Sequence, residues 1–95
     1  MKSDERPLKE VIREFVEVYR LKNKLNQYRL IDKWESVVGK MIAKHTKKLS
    51  INRQVLYVEI DSSIVRSEVY MLKSKIIEEL NKEFDKPIID TIVFK

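Results

Sequence analysis

The chain has 95 residues, 43% of them apolar, and a formal net charge of +5; this is enough to fill one core and predicts a single domain over residues 6–95 behind a frayed stretch at 1–5. The absence of cysteine excludes disulfide scaffolds, zinc ribbons, Cys-ligated clusters and thiol catalysis. One glycine, Gly39, is too few for Walker-type or dinucleotide phosphate loops or the Gly-x-x-Gly clamp of a standard KH domain, and one histidine, His45, cannot build a multi-histidine metal site.

No apolar run follows Met1–Pro7 that could serve as a signal-peptide core or a membrane span, so the expectation is a cytoplasmic protein with no membrane partner. Pro7 suits the first turn of a helix. Leu8, Val11, Ile12, Phe15 and Tyr19 recur at spacings of three and four with Glu10, Glu14 and Glu17 between them, predicting an amphipathic helix over about residues 6–22. Asn23-Lys24 is the weakest step before Leu25, Tyr28, Ile31, Trp34, Val38 and Ile42 predict a second helix from about residue 25. At ~100° per residue, Ile31, Trp34, Val38 and Ile42 fall within an arc of roughly 80°, and Arg29, Lys33, Lys40 and Lys44 within roughly 60° on the opposite side. That cationic stripe is continuous only if the helix runs through Gly39, at a cost of about 1 kcal/mol relative to alanine; a break there would split it.

From Thr46 the period changes to two. Leu49 and Ile51, the polar turn Asn52-Arg53-Gln54, then Leu56, Val58 and Ile60 alternating with Tyr57 and Glu59, read as a β-hairpin. Asp61, Ser62 and Ser63 are each competent helix caps, and Val65, Val69, Leu72, Ile76, Leu80 and Phe84 share one face of a third helix ending near Phe84. Lys86-Pro87 breaks it, and the β-branched run Ile88–Phe94 predicts a last strand. The fold class is α+β, order α-α-β-β-α-β, with a small three-stranded mixed sheet covered on one face by helices.

Charge is segregated along the chain. Residues 20–53 hold ten Lys or Arg against Asp32 and Glu35, a net +8, while the remainder nets −3. Carboxylates that would neutralise a basic helix face are nearly missing there, so a polyanion, either nucleic acid or an acidic protein surface, is the leading partner. The cations singled out are Arg29, Lys33, Lys40 and Lys44, extended by Lys47, Lys48 and Arg53; such contacts position a phosphate backbone without reading bases. Tyr57, on the hairpin face opposite Leu56 and Val58, suits either stacking on an unpaired base or a cross-strand pair. Trp34 lies on the apolar arc, as a core anchor or, if partly exposed, a protein-binding anchor. His45 suits a helix C-terminus, and Ser62-Ser63 suit capping. No nucleophile–base pair or metal constellation is present, so no catalytic residue, metal, cofactor or small-molecule substrate is expected.

The run Leu30-Ile31-Asp32-Lys33-Trp34-Glu35-Ser36-Val37-Val38-Gly39-Lys40-Met41-Ile42-Ala43-Lys44-His45-Thr46 resembles the Trp-x-x-Val-Val-Gly-x-x-Ile-Ala-x-His-Thr signature of the DciA-like family. Leu56-Tyr57-Val58, Ser62-Ser63, Leu72-Lys73, Ile76-Ile77, Leu80-Asn81 and the strand Ile89–Phe94 follow in the order of that family, so the resemblance covers roughly residues 8–95. It implies a KH-like fold and a non-enzymatic role in bacterial DNA replication, where family members bind DNA and act with the replicative helicase as loaders or operators. Single-stranded or forked DNA is then the favoured ligand, with a protein-only adaptor and an RNA-binding module as alternatives.

Overall fold

The structure, a computed structural model, describes residues 7–95; the stretch expected to fray lies outside the described residues. Helix α1 (Leu8–Asp32) runs 25 residues without interruption. The break expected at Asn23-Lys24 does not form, because the step contains neither glycine nor proline and asparagine costs a helix under about 1 kcal/mol.

The second expected helix is corrected as well. The chain jogs at Lys33, and two short helices follow, α2 (Trp34–Val38) and α3 (Lys40–Lys44), separated by Gly39 at φ 91°, ψ 166°. Residues with a Cβ avoid that conformation. Gly39 N–H donates to the Glu35 carbonyl at 2.8 Å, closing α2, and the Gly39 carbonyl accepts from Ala43 N–H at 3.0 Å, opening α3.

Strands β1 (Thr46–Asn52) and β2 (Val55–Ile60) form the expected hairpin, antiparallel with Asn52 opposite Val55. Its loop is two residues, Arg53 and Gln54, at φ 50° and 64°. Positive φ at both positions is what a tight hairpin turn needs to match the twist of its strands. A bulge falls between Thr46 and Lys48.

The long third helix is two shorter ones, α4 (Ser63–Met71) and α5 (Lys73–Asn81), joined by a tight turn at Leu72, whose N–H donates to the Val69 carbonyl at 3.0 Å. Of the three competent caps, Ser62 caps α4: its Oγ accepts from Val65 N–H at 3.3 Å. Helix α5 ends at Asn81, short of Phe84, and the Asn81 carboxamide braces the loop that follows. Its oxygen accepts from the N–H groups of Ile88 (2.9 Å) and Ile89 (3.2 Å), and its nitrogen donates to the Ile89 carbonyl at 2.9 Å. Strand β3 (Thr91–Phe94) therefore starts later than the β-branched run suggests, and pairs parallel to β2.

The result is an α+β fold with a mixed sheet in the order β1-β2-β3. Leu56, Val58, Ile60 and Ile92 point to one face and pack with Leu30, Trp34, Val65, Val69, Ile76 and Leu80. Lys48, Ser50, Tyr57, Glu59 and Val93 alternate onto the other. The molecule measures 66 × 21 × 18 Å with a radius of gyration of 17.9 Å, against about 12 Å for a compact chain of this length. The excess belongs to α1, in which Leu30 is the buried residue. No described helix is long and apolar enough to cross a membrane.

Candidate nucleic-acid interface

The break at Gly39 separates the four cations that a continuous helix would have aligned. Arg29 and Lys33 stay with α1, and Lys40 and Lys44 move with α3. Lys33 is also occupied. Its side chain is 18% exposed, 3.8 Å from Glu83, and its ammonium donates to the carbonyls of Glu79 (3.2 Å) and Leu80 (3.4 Å). Those carbonyls belong to the last turn of α5, where the helix dipole attracts a cation. Lys33 is thus tied to the end of a helix 46 residues away, with Phe84 beneath it at 5.7 Å. Arg29 lies over the same ring at 5.1 Å and donates to Asn26 at 3.3 Å. Both contribute to docking α1 on the body.

A second cationic group lies where α3 runs into β1. Lys40 and Lys44 are one helical turn apart and exposed, and Lys47 and Lys48 follow on the exposed edge strand. Lys47 sits in the bulge and reaches Asp61 at 3.2 Å. Asp61 also accepts from His45 Nδ1 at 2.8 Å, and its own N–H donates to the His45 carbonyl at 3.0 Å. The hydrogen bond from His45, then that from Lys47, holds the Asp61 carboxyl below its ordinary value. His45 does occupy the C-cap of α3, but its ring is spent on Asp61 rather than on free helix carbonyls. No carboxylate among the described residues pairs with Lys40, Lys44, Lys48 or Arg53. Arg53 stands at the exposed hairpin tip.

Lys48 opens onto the sheet face that carries Tyr57. Lys48, Ser50, Tyr57, Glu59 and Lys95 line a shallow hollow of about 50 Å³. Lys48 stands opposite Glu59 in the register, and Ser50 opposite Tyr57. The Lys95 ammonium lies 5.2 Å from the centre of the Tyr57 ring, a cation–π contact. Lys95 is the residue that the linear reading misses. Its signal was parity: it continues β3 two positions after Val93, the residue opposite Tyr57 in the register.

Trp34 is 3% exposed and is part of the core. Its Nε1–H donates to Thr46 Oγ1 at 3.0 Å, and that hydroxyl donates to the Ile42 carbonyl at 2.8 Å, so the indole ties α2 to the Thr46 hydroxyl through which β1 is bonded to α3. A partly exposed Trp34 anchor is corrected to a core residue that supports the Thr46 hydroxyl joining the two cation-bearing elements.

The sequence model of one protein family, described as "Dna[CI] antecedent, DciA", matches residues 7–94. No curated protein and no solved structure matches the chain.

Proposed function

The chain belongs to the DciA family, which is associated with loading of the replicative helicase, and from that premise we propose that it is a non-enzymatic accessory protein that binds DNA, single-stranded or forked, beside the helicase. Lys40, Lys44, Lys48 and Arg53 would meet the phosphates, and Lys47 would join them when released from Asp61. Tyr57, already under a cation, would offer its other face to an unpaired base. Lys33 and Arg29, assigned to this surface by spacing alone, leave it for structural work.

The observation that carries the reading is the group of exposed cations from α3 through the hairpin, of which Lys40, Lys44, Lys48 and Arg53 have no carboxylate partner among the described residues, while Lys47 is held by Asp61. Unpaired like charges on adjoining elements repel one another and are relieved by a polyanion. Contacts of this kind are sequence-tolerant and salt-dependent.

The test is an anisotropy titration of labelled single-stranded, forked and duplex DNA, with matched RNA, at several salt concentrations. The parent should favour single-stranded or forked DNA, with an affinity that falls steeply as salt rises. Lys40→Glu with Lys44→Glu should lower affinity at least tenfold and flatten the salt slope by about 1.4, the share of two phosphates on a single strand. A folded double variant that binds as tightly as the parent refutes the placement. Equal or tighter binding to RNA favours the RNA-binding reading, and failure of every oligonucleotide at low salt assigns the basic surface to an acidic protein.

A further inference from the structure

The most conspicuous feature outside that surface is the projecting part of α1. Leu8, Phe15, Val18 and Leu25 are 58–74% exposed, with Val11 at 40%. Leu8, Val11, Phe15, Val18, Lys22 and Leu25 recur at alternating steps of three and four, the a and d positions of three heptads, and Ile12 and Tyr19 widen the seam. Most of a helix's stability in a protein comes from packing its apolar stripe against a partner rather than from intrinsic propensity.

Charge identifies the occupant. Residues 8–17 carry Lys9 and Arg13 against Glu10, Glu14 and Glu17, a net −1; residues 18–25 carry Arg20, Lys22 and Lys24 and no acid, a net +3. A second copy of the same helix, laid antiparallel, sets the acidic half of each against the basic half of the other. A parallel copy does the reverse and sets like against like.

Lys22 decides the register. It is the one charged residue in the seam between Leu8 and Leu25. With the two-fold axis between Val16 and Glu17, each a position meets a d position: Leu8 against Leu25, Phe15 against Val18, and Lys22 against Val11. Lys22 then lies beside Glu14 of the partner subunit, which flanks the seam on the acidic half that also carries Glu10, whereas a parallel pair would face it with its own copy. A two-fold, self-complementary contact is also the commonest closed assembly. At the base of the stripe, a groove of about 510 Å³ between Tyr19, Lys22 and Asn26 of α1 and Phe84, Pro87 and Ile88 leaves room for the end of the incoming helix. We propose that two copies of this chain pair through residues 8–25 of α1 as an antiparallel helical dimer.

Sedimentation equilibrium of the full chain over a range of concentrations tests the pairing. The parent should dissociate from dimer to monomer on dilution, Phe15→Glu should be monomeric throughout, and Lys22→Glu should weaken the dimer at least tenfold, with recovery on adding Glu10→Lys and Glu14→Lys. These side chains lie on the projecting helix, so Trp34 fluorescence reports whether each variant's body stays folded. Because the chain lacks cysteine, orientation follows from single substitutions: Leu8→Cys mixed with Leu25→Cys should cross-link, and neither variant should cross-link alone. A parent that stays monomeric at ~100 μM, whatever else it captures, overturns the proposal, as does self-cross-linking of the Leu8→Cys variant.

Discussion

The stripe Leu8, Val11, Phe15, Val18 of α1 and the apolar faces Val65, Val69 of α4 and Ile76, Leu80 of α5 all follow steps of three or four within their helices, yet the first is 40–74% exposed and the others at most 7%. All are apolar faces of helices; they differ only in what stands opposite. Helices α4 and α5 face the sheet, which brings Leu56, Val58, Ile60 and Ile92 against them, while residues 8–25 of α1 have no sheet within the same molecule to meet. A helical period therefore reports that a face wants covering and is silent on whether this chain or another covers it.

The largest expected effect breaks that comparison if it fails. Trp34→Ala empties a site in the core and removes the bond to Thr46, and should cost about 3–5 kcal/mol in urea unfolding. Phe15→Ala, an aromatic truncation of comparable size on the exposed stripe, should change the unfolding of the dilute monomer by less than about 0.5 kcal/mol. Comparable losses from the two would mean that α1 folds back on its own body.

The next effect sharpens the boundary between the two regions. A Cβ at Gly39 would meet nothing within 4 Å, so Gly39→Ala has no steric cost, and any loss is backbone conformation alone. At φ 91° that loss should be about 1–3 kcal/mol in the same unfolding measurement. An unchanged stability would mean that α2 and α3 join into one helix, restoring the cationic stripe of the linear reading.

What was legible follows from the range of the interactions. The hairpin, the Ser62 cap and the core faces of α4 and α5 are dictated by residues a few positions apart, and α-helical and strand periods identify them. Gly39 was legible as the position on which the stripe depends, but whether it breaks a helix is decided by tertiary packing that a local propensity of about 1 kcal/mol cannot overrule. Lys33 shows the limit. Nothing near it in sequence says that its ammonium caps a helix ending at Asn81, because the partners are 46 and 47 residues away. The cations that remain candidates lie on short or edge elements, Lys40 and Lys44 on α3, Lys48 on β1 and Arg53 in the hairpin turn. On the edge strand Lys48 also discourages edge-to-edge pairing of β1, so a merely protective role predicts no loss of DNA affinity on its reversal.

The smallest effect concerns Asp61, which joins the end of α3 to the bulge of β1 on the body side of this comparison. Its folded carboxyl titrates below the ordinary 3.8, so the ionised form is favoured by folding. That contribution is fully present above about pH 3.8 and is lost as pH falls through the folded value. Asp61→Asn should therefore flatten the acid limb of the stability profile below about pH 4 while lowering stability slightly at neutral pH; urea midpoints measured from pH 2 to 7 read both. The same substitution frees Lys47, whose ammonium would otherwise stay 3.2 Å from the carboxylate. If Lys47 belongs to the phosphate-binding row, Asp61→Asn tightens single-stranded DNA and steepens its salt slope by up to about 0.7. A variant that loses the acid-limb dependence but gains no affinity leaves Lys47 as part of the clasp alone, and confines the interface to Lys40, Lys44, Lys48 and Arg53.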